Sequence, residues 1–259
     1  MKRKNIYIAA TLVIAFILLI AYASGYRISG FTIVKTGQLE IHVPYKNSSI
    51  TIDSKHAGLT HEDNEIFVLK NLRPGTHTVL ISEGERYPWI TRVNTPYNTV
   101  QKIYPFNIKI SSNSTIVETT DPTYATKVKE IRATTLPTSS NPVFSDDKTI
   151  GAYVDGDSIK AEWQSTADSA PALFCENTTC TRTIEIAPLA KEIYGLTFYP
   201  GRNDVIILAT EGGIYALAIA SHDNQNFQPI VLGQTPRMQL DGNTLFVLEK
   251  NTLGIVIIE

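Results

Sequence analysis

The stretch NLRPGTHTVLISEGERYPW, residues 71–89, decides how its surroundings fold. It opens on a turn in which Pro74 fixes φ and Gly75 supplies the positive φ that a type II turn requires. THTVLIS then reads as a strand with Val79 and Ile81 on one face, and Gly84, Tyr87 and Pro88 mark a second turn. Upstream, Leu39, Ile41 and Val43 alternate with Glu40 and His42, and Ile50 and Ile52 alternate with Thr51 and Asp53. SKHAGLTHEDNE (54–65) reads as a polar loop, IFVL as a strand, and WITRV and TVQKIYPF as the last strands. Residues 36–106 are therefore expected to form a β-sandwich of about 70 residues, near the lower limit for a self-sufficient core.

Particular residues carry a resemblance. Gly37-Gln38-Leu39-Glu40-Ile41 opens the segment, and Ile50-Thr51-Ile52-Asp53 ends a strand on an acidic residue. Leu72, Pro74, Gly75, His77 and Val79 form a Leu-x-Pro-Gly-x-His-x-Val turn and strand. In these features the stretch resembles the PEGA domain family. It departs from the pattern where Glu85-Arg86 splits Gly84 from Tyr87, and where Gly58-Leu59-Thr60-His61 stands for Gly-x-Thr-Pro. The resemblance covers about a quarter of the chain. It implies a prokaryotic cell-surface β-sandwich, often behind a membrane anchor, and brings no catalytic residues. His77 is expected to pack or hydrogen-bond within the sandwich.

The N-terminus fits that setting. Lys2, Arg3 and Lys4 precede an uncharged stretch of 22 residues from Asn5 to Tyr26, and about 20 apolar residues span a bilayer. The basic residues favour a cytoplasmic N-terminus, with residues 27–259 outside. Residues 1–26 are thus expected to be a single-pass anchor with its span at about 6–24. The competing reading is a signal peptide cleaved after Ala23, since Ala21-Tyr22-Ala23 fits the A-x-A pattern. The apolar run from Ile6 to Ala21 is long for a signal core, which favours the anchor.

Cys175 and Cys180 flank Glu-Asn-Thr-Thr in a candidate hairpin, where a disulfide suits an oxidising compartment. Two cysteines with no nearby histidine do not complete a zinc site. Asn47, Asn113 and Asn177 lie in sequons that matter only in a eukaryotic secretory pathway.

Residues 107–147 are rich in Ser, Thr, Pro and Asn and read as a connector, with one short helix capped by Asp121 and started by Pro122. Residues 148–259 repeat a strand-turn-strand unit at 150–163, 204–219 and 243–258. One complete four-stranded unit is expected at 194–199, 204–209, 213–219 and 228–232. The pattern resembles β-propeller repeats of the broad YVTN/TolB-like class. At about 45 residues per blade the segment holds two and a half blades, whereas a closed ring needs at least four. The expected fold is all-β: a transmembrane helix, a PEGA-like sandwich, then an incomplete set of propeller-like antiparallel sheets. Open edges would favour oligomers, and the terminal GIVII strand would be poorly protected.

No sequence motif for catalysis or nucleotide binding occurs. A net charge of −2 without a basic cluster argues against nucleic acid. His56 and His61, with Glu62, Asp63 and Glu65, could hold a metal but read better as a solvated loop. Asp155-Gly156-Asp157 reads as a hairpin turn rather than as calcium ligands. Asp204 and Asp223 could be paired carboxylates of a glycosidase, but they fit turn chemistry better. We therefore expect no catalytic, cofactor or metal residues. The favoured function is a membrane-anchored interaction or structural module of the cell envelope, binding protein or envelope polysaccharide. The alternative is an extracytoplasmic hydrolase acting on cell-wall or extracellular glycans.

Overall fold

The structure, a computed structural model, describes residues 2–29, 32–61, 66–110, 114–164, 170–176, 179–188, 192–220 and 226–258. It consists mostly of strands. Two compact units emerge: residues 1–84 with 88–106, and residues 85–87 with 107–259.

The first unit begins with helix α1 (Lys2–Ala23). Its side chains are described at Tyr7, Ile8 and residues 11–23, and almost all are exposed. Among the described residues no helix is long and apolar enough to cross a membrane. The side chains of Lys2, Arg3 and Lys4 lie outside the described ones. The hairpin β1 (Tyr26–Ser29) and β2 (Thr32–Lys35) follows.

Seven strands then form two sheets: β3 (Gly37–His42), β4 (Ser49–Ile52), β5 (Lys55–Leu59), β6 (Ile66–Leu72), β7 (Gly75–Ser82), β8 (Trp89–Thr95) and β9 (Val100–Ile103). One sheet has the order β6-β3-β9, with β9 parallel to β3; the other has the order β5-β4-β7-β8. The expected alternation holds. Leu39, Ile41, Ile50, Val79 and Ile81 are fully buried, and Val43 and Ile52 nearly so. Each such side chain contributes roughly 1.5–3 kcal/mol by leaving water. The segment expected as a polar loop carries β5. Asp53 and Ser54 take φ of 48° and 64°, as a two-residue hairpin turn demands, and β5 runs back along β4. Its polar composition reflects its edge position, because an edge strand has little apolar surface to bury.

The second unit contains β10 (Thr115–Val117), α2 (Pro122–Ala133), β11 (Val143–Phe144), β12 (Ile150–Asp155), β13 (Ser158–Trp163), β14 (Cys175–Glu176), β15 (Thr179–Cys180) and β16 (Thr183–Pro188). These are followed by β17 (Ile193–Phe198), β18 (Val205–Thr210), β19 (Gly213–Ala218), β20 (Phe227–Leu232), β21 (Arg237–Asp241), β22 (Thr244–Glu249) and β23 (Thr252–Ile257). Three four-stranded antiparallel sheets result: β11-β12-β13-β16, β17-β18-β19-β20, and β10-β23-β22-β21. The four strands expected between 194 and 232 are all present, within two residues at each end.

All six residues of β18 are buried. Ile206 and Leu208 share a core with Ile150, Ile159 and Ile184 of the first sheet. Val205, Ile207 and Ala209 point to the opposite face by strand alternation. On the third-sheet side Gly195 touches Met238 so closely that an added Cβ would lie 3.1 Å from its Cγ. The three sheets are thus layered with the middle one covered on both faces, which explains why VIILAT reads as a continuous apolar run.

The connector and the terminal strand depart from expectation. Asp121 does cap α2, accepting from Thr123 N at 2.7 Å, with Pro122 in the first turn. Yet β10, in the same segment, pairs with β23 and completes the third sheet. Val128 and Ile131 of α2 pack with Val117, Leu248 and Leu253. The last strand therefore lies between β10 and β22, with Leu253 fully buried and Val256 at 2% exposure. Composition concealed this because β10 is three residues long and only Val117 of it is buried.

Candidate functional site

The turn in the opening stretch organises a polar cluster in the first unit. β4 and β7 are antiparallel neighbours with Ile52 opposite Val79, which brings Asp53 beside Thr78 and His77. Asp53 N donates to Thr78 O at 2.9 Å, and Thr78 N donates back to Asp53 Oδ1 at 2.9 Å. The other carboxylate oxygen, Oδ2, lies 2.6 Å from His77 Nδ1. His77 Nε2 lies 2.7 Å from the carbonyl oxygen of Arg73. Thr95 Oγ1 also donates to Arg73 O and to Gly75 O, at 3.3 and 3.2 Å. Gly75 has φ 137°, so glycine is required for the backbone path, although its missing Cβ would meet nothing within 4 Å. Leu72 ends β6 before the turn, Pro74 sits within it, and Val79 fills the core below.

Both ring nitrogens of His77 therefore face acceptors, a carboxylate and a carbonyl. Only the imidazolium can donate to both. Burial pushes the His77 pKa down, but the Arg73 carbonyl and the Asp53 carboxylate outweigh it and the net shift is upward. The hydrogen bond from His77 holds the Asp53 carboxyl below its usual range; burial opposes it, and Thr78 N assists it. In the imidazolium form His77 has no lone pair for proton abstraction or metal binding. The constellation clamps the β6–β7 turn onto the β4–β5 turn. The signal for it in the sequence was an acidic residue just after β4 and a histidine two residues beyond Gly75; what one sequence does not reveal is that these two residues meet.

The other candidates are also engaged or solvated. His56 is exposed, with Nδ1 3.4 Å from Ser49 Oγ, and His61 is exposed; Glu62, Asp63 and Glu65 lie outside the described residues. Among the described residues no group of three His, Cys, Asp or Glu side chains could hold a metal. Asp204 is held by Arg202 in a bidentate pair, Nε to Oδ1 at 2.7 Å and Nη2 to Oδ2 at 2.8 Å. Asp223 lies outside the described residues, so the proposed carboxylate pair has one member already committed to a turn. Asp155-Gly156-Asp157 makes the β12–β13 turn, with Gly156 at φ 60° and Asp155 paired with Lys160. Cys175 and Cys180 stand opposite each other in the β14–β15 hairpin and are disulfide-bonded, with Cα atoms 3.9 Å apart. Among the sequons only Asn47 is described.

Sequence reasoning missed a second carboxylate cluster. Asp147 accepts from Ser145 Oγ at 2.6 Å, from Thr149 N and Oγ1 at 3.0 and 2.8 Å, and from Asn203 Nδ2 at 2.9 Å. These bonds, led by Ser145, hold its carboxyl far below the usual range. Asp146 Oδ2 accepts from Gly201 N at 2.9 Å. The pair ties the β11–β12 turn to the β17–β18 turn and so locks two neighbouring sheets together. The open surface of this unit is apolar at one strand edge, where Phe227 is 45% and Leu232 71% exposed on β20. A shallow hollow beside it is lined by Tyr87, Ile110, Ser114, Pro229 and Leu232.

No protein-family model matches the chain, and no curated protein matches it.

Proposed function

We propose that this protein is a membrane-anchored extracytoplasmic module with a structural or interaction role in the cell envelope. In this reading α1 is the anchor, residues 36–106 are a PEGA-like stalk, and the propeller-like sheets of residues 148–259 carry the interaction surface. The observation that carries it is the exposure of α1. From Leu12 to Ile20 the large apolar side chains are 49% to 65% exposed, around the full circumference of the helix. A helix that is apolar on all sides is stable only when buried, in a protein core or in lipid. Among the described candidates, Asp53, His77, Asp155 and Asp204 are spent on backbone and turn contacts, which supports a role without chemistry. The apolar edge at Phe227 and Leu232 suits a protein strand or an envelope polysaccharide as partner.

Protease accessibility tests the reading. Intact cells or spheroplasts expressing the full chain are treated with a membrane-impermeant protease. Residues 27–259 should be degraded without lysis. Protection until the membrane is broken would place them in the cytoplasm and end the proposal.

A further inference from the structure

We propose that the β1–β2 hairpin lies on the bilayer surface through the face carrying Tyr26, Ile28, Ile33 and Lys35, so that the stalk begins in the headgroup layer. This inference rests on the membrane-anchor reading of α1. The register pairs Tyr26 with Lys35 and Ile28 with Ile33, so these four side chains share one face, while Arg27 and Val34 pair on the other. Ile28 is 73% and Ile33 70% exposed. A two-stranded hairpin this short is marginal alone in water, and an exposed isoleucine pair makes it worse.

The base of the hairpin is fixed close to the helix end. Gly25, at φ 86°, follows two residues after Ala23. Its carbonyl accepts from both Thr36 N at 2.9 Å and Thr36 Oγ1 at 2.8 Å, which closes the loop of residues 26–35. Arg27 folds back onto the last turn of α1, 3.7 Å above the Tyr22 ring, and donates to the carbonyls of Tyr22 and Tyr26. The exposed isoleucine pair therefore begins where the apolar helix surface stops. Tyr22 and Tyr26 sit where interfacial aromatics are enriched. Charge agrees with this placement. No acidic residue precedes Glu40, so Lys35, on the same face as the isoleucine pair, meets anionic headgroups without a competing carboxylate nearby in sequence. The occupant is the bilayer that holds α1.

The test uses the full chain reconstituted in phosphatidylcholine vesicles containing phosphatidylglycerol. Because the two native cysteines are bonded to each other, an introduced cysteine is the one free thiol. Ile28→Cys, Ile33→Cys, Thr32→Cys and Leu19→Cys are labelled separately with an environment-sensitive fluorophore and titrated with iodide. The Leu19, Ile28 and Ile33 labels should be blue-shifted and quenched several-fold less than the Thr32 label on the opposite face. If the Leu19 label is shielded but the Ile28 and Ile33 labels are quenched as freely as Thr32, the hairpin inference falls and the anchor stands. If the Leu19 label is also open to iodide, the anchor reading falls and takes the inference with it.

Discussion

Replacing Asp53 by Asn should remove a pH dependence that the wild-type chain shows. In the folded protein both ring nitrogens of His77 face acceptors, Asp53 Oδ2 and the Arg73 carbonyl, which favours the cation. Its folded pKa lies above the ordinary 6.5, so its contribution is complete below 6.5 and fades as pH rises through the folded value. The folded pKa of Asp53 lies below 3.8, so its contribution is complete above 3.8 and fades as pH falls through the folded value. The clamp is therefore strongest between 3.8 and 6.5 and weakens toward alkaline pH. A hydrogen bond to a charged group contributes about 1.5–3 kcal/mol. Because the Asp53 side chain is 48% exposed, solvent screening reduces the pH-dependent part to about 1 kcal/mol. With an m-value of about 2 kcal/mol/M that is a urea midpoint shift of about 0.5 M. In Asp53→Asn, the amide can accept from Thr78 N and donate to a neutral His77 Nδ1, leaving Nε2–H for Arg73. The geometry survives and the charge requirement does not. The assay follows Trp89, buried in β8, in a Trp163→Phe background, since Trp163 belongs to the second unit and its fluorescence would otherwise mask that of the first. A flat wild-type midpoint from about pH 5 to about pH 8, or an unchanged slope in Asp53→Asn, would refute the cationic clamp.

Gly75→Ala should destabilise the first unit by about 1–2 kcal/mol in the same fluorescence assay, through backbone strain alone, since a Cβ at Gly75 meets no atom within 4 Å. Cys175 and Cys180 should resist alkylation until reductant is added, and reduction should cost about 2 kcal/mol because the closed loop is short; two freely alkylated thiols by mass spectrometry would contradict this. A fragment of residues 141–259 lacks β10 and α2 and uncovers Leu248 and Leu253, so it should associate in analytical ultracentrifugation, whereas a fragment of residues 107–259 should be less prone to do so. Equal behaviour of the two would mean that β10 and α2 do not cover the third sheet.

Much of the strand layout was legible because strand alternation is local. Leu39, Ile41, Ile50, Val79 and Ile81 announce their buried face within a few residues. The hairpins at Asp155-Gly156 and Cys175–Cys180 were legible for the same reason. What stayed hidden depends on partners distant in sequence. β5 looks like loop because an edge strand needs little apolar surface. β10 looks like linker because its partner lies about 140 residues away. The Asp53–His77 bond required the register of β4 on β7, and the Asp147–Asn203 bond required two sheets to meet. The candidate site was thus half visible: its residues were named, and their contacts came from the fold.

The central claim, that α1 holds this protein in a membrane, is tested most directly by alkaline carbonate extraction of native membranes followed by N-terminal sequencing of the retained chain. The chain should stay in the pellet with α1 still attached. Release into the supernatant, or a mature chain beginning at Ser24, would contradict it.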